Sequence, residues 1–84
     1  MSQPHHLQHI VPLDDELVKL ELNFNSHGSR PYNATCSFVK ERPRHVHIVS
    51  VERSSTCILF FEVKTALKSH TKKILGKLEY IAKP

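Results

Sequence analysis

Cysteine, glycine and long apolar runs are all scarce in this chain of 84 residues. Its two cysteines, Cys36 and Cys57, are too few for a disulfide framework and lack the paired spacing of a zinc site. Both are expected to be buried, reduced thiols. Two glycines leave no Gly-rich loop to cradle a phosphate. No apolar stretch approaches the ~20 residues of a membrane span, and the N-terminus carries no apolar signal core. The expectation is a cytoplasmic protein with no membrane partner. Nucleophile motifs, paired catalytic carboxylates and a zinc-protease His-Glu-x-x-His are missing as well, so neither an enzyme nor a resident cofactor or metal is expected.

What is present fits one small domain. A chain this short buries roughly 60–65% of its unfolded surface, which favours a partner chain or a place in something longer. Net charge is +4, but it is unevenly spread: −2 through Glu41 and +6 from Arg42 onward. A basic second half suits an acidic partner.

Residues 1–15 show no clean period and read as a mobile tail containing His5, His6 and His9. Residues 16–84 then form the domain. Val18, Leu20, Leu22 and Phe24 alternate with Lys19, Glu21 and Asn23, which predicts a strand with one wet face. A turn follows over Asn25–Ser29. From Pro31 the spacing changes to three and four (Pro31, Ala34, Thr35 and Phe38), which predicts a helix to about Glu41, stopped by Pro43.

The β-branched run His45–Arg53 predicts a second strand, and Thr56–Lys64 a third that pairs with it as an antiparallel hairpin. Leu67, Thr71, Ile74, Leu78 and Ile81 recur at steps of four and three. That is a final amphipathic helix, with Lys68, Lys72, Lys73 and Lys77 on its basic outer surface. Gly76 either sits inside this helix or ends it, leaving Leu78–Lys83 as a fourth strand; the continuous helix keeps the phase better. The expected fold is α+β, a ferredoxin-like βαββα(β) plan in which two helices cover one face of an antiparallel sheet.

In that order of elements the chain resembles the ACT regulatory domains of aromatic amino acid hydroxylases. Val18 to His47 can be laid on their pattern without a gap. Phe38 falls on a Phe near the end of their first helix, and His47-Ile48-Val49-Ser50 falls on their His-Ile-Glu-Ser. Phe60-Phe61 and Leu67, Ile74, Leu75 and Leu78 take apolar positions of the third strand and second helix.

The resemblance implies a non-catalytic regulatory module that dimerises through sheet edges, with His45, His47 and Arg53 near the contact. It also implies an amino-acid ligand between Ser26, His27, Gly28 and Ser29 on one side and His47, Ile48 and Ser50 on the other, so that the turn from Ser26 to Tyr32 faces it. The chain departs from the family at that turn, and at Val49 and Val51, where the family has Glu and Arg. The resemblance therefore carries pairing further than it carries amino-acid binding.

Two other readings stand beside it. His45 and His47 lie about 6.5–7 Å apart if they share one face of a strand, close enough for a metal shared with His27 or His70, although two ordinary surface histidines explain the spacing equally. An RNA-recognition module has the same order of elements, and the lysines of the last helix suit it. Against it, adjacent Phe60 and Phe61 must point to opposite faces of a strand.

Overall fold

The structure is a computed structural model describing residues 5–25, 28–67 and 70–81. Period-two burial marks most of its strands and is broken at two bulges. Seven strands form: β1 (His5–Leu13), β2 (Glu16–Phe24), β3 (Pro31–Ser37), β4 (Arg44–His45), β5 (His47–Arg53), β6 (Cys57–Leu67) and β7 (His70–Tyr80). They make two antiparallel sheets, ordered β1-β2-β3-β4 and β5-β6-β7. The α+β expectation is overturned, because both segments expected as helices are strands. With the helix over 31–41 goes the arrangement on which the family resemblance was laid. Among the described residues no helix is long and apolar enough to cross a membrane.

The stretch expected as a tail is β1, paired with β2 along its whole length, from His5 opposite Phe24 to Leu13 opposite Glu16. Asp14 and Asp15 make the turn with φ of 50° and 64°. Two residues in the left-handed region form the hairpin loop that matches sheet twist, and aspartate tolerates that region better than most side chains. Leu7, Val11 and Leu13 face inward. Among the described side chains His9 has the same parity, its buried Nε2 without a partner, and that polar insertion hides the alternation from a sequence reader.

Strand β3 imitates a helix through a bulge. Asn23 pairs with Asn33, yet Phe24 pairs with Pro31, so Tyr32 is an extra residue. The bulge resets the phase, and Pro31 and Ala34 both become buried although they lie three apart. A second bulge, at Val49, does the same in β5, where Ile48 and Val51 both pack against the core.

In β7 the inward residues are Ile74, Gly76, Leu78 and Tyr80, opposite Val63, Phe61, Leu59 and Cys57. Ile74 and Leu78 fit a helical step of four and a strand period of two alike, whereas Ile81 is 73% exposed. Leu67 and Thr71 have no described side chains. Cross-strand pairing with β6 outweighs the weak helical preference of Lys, Leu and Glu.

One apolar core lies between the sheets. Val18, Leu20, Leu22, Phe24, Ala34 and Cys36 come from the first, and Cys57, Leu59, Phe61, Val63, Leu78 and Tyr80 from the second. The molecule is a two-sheet sandwich, with β1 beside β7 at one margin and β3 beside β5 at the other. The hairpin of β5 and β6 stands as expected. So do the inward face of β2 and the opposed aromatics, since Phe61 is fully buried and Phe60 only partly.

Two anchors close the structure. Arg44 meets the Glu41 carboxylate at 2.6 Å, donates to the Lys64 carbonyl at 2.9 Å and lies 5.5 Å from the Phe38 ring centre. The Tyr80 hydroxyl donates to the Ser29 carbonyl, and its ring packs at 60° on Phe24.

Candidate functional site

The run His45-Val46-His47 is where the chain changes sheets. His45 ends the first sheet opposite Thr35, and His47 begins the second opposite Glu62. Val46 between them is buried, its N–H donating to the Ala34 carbonyl at 2.9 Å. Pinning Val46 inward turns both histidines outward, and both are exposed. They do not share one strand, which corrects the geometry assumed for a metal pair. Among the described residues no group of three His, Cys, Asp or Glu side chains is placed to hold a metal; His27 and the His70 side chain lie outside those residues.

A cleft of about 630 Å³ opens beside the crossover. Asn25, Arg30, Tyr32, Asn33, His45 and His47 are its polar lining, and Pro31, Val46 and Ile48 supply the apolar part. A smaller hollow of about 330 Å³ adjoins it, sharing both histidines and adding Glu62, Lys64 and Lys73.

The expected ligand residues are thus partly assembled. His47 and Ile48 line the cleft, whereas Gly28 and Ser29 lie in the adjoining turn and are not among its lining residues. Ser26 and His27 fall outside the described residues. Ser50 is beyond the bulge, opposite Phe60. Arg53, expected near the two histidines, sits at the far end of β5 opposite Cys57, roughly 20 Å from His47 by strand rise. Arg30 and Tyr32 are the functional candidates that the sequence marked only as part of a turn.

The basic face is also redistributed. Lys73 and Lys77 lie on the outer face of β7, across from Lys64 and Phe60. Lys72 has the opposite parity and reaches Asp14 at 3.4 Å. Lys68 lies outside the described residues. A strand cannot gather these positions on one side as a helix would.

Both cysteines are buried and unpaired, as expected. Burial pushes the Cys36 thiol up to about 11, against a small opposing pull from Arg44. Burial, then the neighbouring Cys57, pushes the Tyr80 hydroxyl up to about 12, while Arg53 and Arg30 pull it down. Neither group supplies a nucleophile near neutrality.

These shifts have a stability consequence. An unfolded chain loses these protons nearer their ordinary values of 9.0 and 10.0, so above pH 9 it binds fewer protons than the folded one. Stability should therefore be unaffected by these two groups below about pH 9 and fall from there to about pH 12. Urea midpoints measured across that range should decline, with a shallower decline in Tyr80→Phe. An identical slope in that variant would remove Tyr80 from the account.

No family model, no curated protein and no solved structure matches this chain, so a function has to be argued from its own residues.

Proposed function

We propose that the chain is a non-catalytic interaction module that pairs with a second copy of itself along the outer edge of β7. The observation that carries this reading is the edge itself. Three of the four sheet edges are blunted: β1 contains Pro12, β4 is two residues long, and β5 is bulged. Natural edges are protected in these ways. β7 runs for 11 residues in unbroken register with β6 and, among the described residues, nothing pairs with its other side.

Its sequence also suits a two-fold. Antiparallel pairing centred on Gly76 places Lys73 opposite Glu79 of the second copy, twice. Centring on Leu75 instead sets Lys73 against Lys77 and is repelled. The Gly76 register keeps Ile74 opposite Leu78 on the inner side, so two three-stranded sheets join into one of six. Leu75, 62% exposed, meets the aliphatic stem of the second copy's Lys77. The contact is one strand wide, at or below about 1,200 Å² and the weak end of specific interfaces. A non-catalytic role is supported by the burial of both thiols.

Light scattering on a column run at increasing protein concentration tests the pairing. Lys73→Glu or Glu79→Lys alone should weaken the dimer about tenfold or more, and the two together should restore it. A wild-type chain that stays monomeric at about 0.5 mM, or a double variant no better than either single one, would sink the proposal.

A further inference from the structure

We infer that the cleft at the sheet crossover binds a phosphate-bearing ligand with an aromatic base, either a free nucleotide or a short single strand. The cleft itself lies where β3 meets β5, while its adjoining hollow reaches β7 at Lys73, and it goes beyond the pairing argued above. Its volume, about 630 Å³, falls within the roughly 300–1,000 Å³ of small-ligand sites, and its lining is specialised. Arg30 offers a fixed fork of donors for phosphate oxygens. His45 and His47 add two imidazoles, and Asn25 adds an amide to read a base edge, with the Nδ2 of Asn33 as a further donor since its Oδ1 accepts from Asn23 at 2.8 Å. Tyr32 borders the cleft at 56% exposure, an aromatic surface on which a base can stack.

No carboxylate lines this cleft. In the adjoining hollow Lys64 and Lys73 outnumber the single carboxylate, Glu62, so a second phosphate has a place to continue. The bulge that the sequence concealed also has a use here. By making Tyr32 the extra residue of β3, it leaves that side chain outside the core and beside the histidines.

The test is amide chemical-shift titration of the full chain with adenosine monophosphate, inorganic phosphate and a hexameric single-stranded oligonucleotide. The nucleotide should shift Arg30–Asn33 and His45–Ile48, and should do so at least about fivefold more tightly than phosphate alone. Tighter binding of the hexamer than of the nucleotide identifies a strand as the ligand, and equal binding identifies the free nucleotide.

Arg30→Glu should weaken binding about tenfold or more and Tyr32→Ala about fivefold or more, both with spectra unchanged elsewhere. The inference is overturned if neither base-bearing probe moves the crossover amides at about 10 mM, if phosphate binds as well as the nucleotide, or if the shifts centre on β7 and ignore Arg30→Glu.

Discussion

Phe61→Ala should remove a large share of the chain's stability at 25 °C. Phe61 is among the largest fully buried side chains, at 0% exposure. It stands on β6, the central strand of its sheet, between Ile48 on β5 and Gly76 on β7. Truncating a buried phenylalanine costs about 3–5 kcal/mol. A domain of this length has only about 4–13 kcal/mol of stability to begin with, and its small core can do little to refill the gap. A urea titration followed by near-ultraviolet circular dichroism measures the loss. A variant with full native signal and a midpoint cost below about 1 kcal/mol would show that the ring does not hold the two sheets together.

The second large effect is expected at Gly76, and it comes from the same ring. A Cβ built on Gly76 would stand 2.3 Å from the Cζ of Phe61 and 2.6 Å from its Cε2. Real Cβ atoms do not approach that closely, so the ring or the strand must move. Gly76→Ala should cost about 1–3 kcal/mol as an overpacking change, even though alanine would otherwise gain about 0.5–1 kcal/mol over glycine in a strand. Gly76→Val should cost more.

The cause can be isolated by a double-mutant cycle on a Phe61→Leu background, which lacks the six-membered ring. There the cost of Gly76→Ala should fall below about 1 kcal/mol, giving a coupling within the 0.5–3 kcal/mol typical of touching residues. An unchanged cost would mean that glycine is required for its backbone, and Gly76 does not have the positive φ that such a requirement would show.

Gly76 also shows why the end of the chain was misread. A lone glycine at that position breaks a helix or ends one, and in a strand it marks close approach of a neighbour. Nothing local tells these cases apart; the neighbour is Phe61, fifteen positions earlier. The other misreadings share this form. The three-residue step from Pro31 to Ala34 is a bulge opposite Phe24, and His45–Arg53 is two strands because Val46 is held by Ala34. The crossover site was legible in part. His47 and Ile48 were marked, and so was the turn that carries Arg30 and Tyr32, but Arg53 was assigned to a contact from which β5's own length removes it.

Alternation determined β2 and the opposed faces of Phe60 and Phe61, a short link the pairing of β5 with β6, and the apolar character of a free thiol the burial of both cysteines. Each of those features is set by neighbours two residues apart or by one short turn, and side-chain hydrophobicity reports them directly. Tertiary structure decided that β1, β3 and β7 are extended, where the chain changes sheets, and which polar groups meet at the crossover. In those segments the local preferences are weak or contradictory: a histidine on an inward face, a bulge with helical spacing, a lysine-rich run. Burial against β2 and β6, the strands with which these segments pair, is the larger energy.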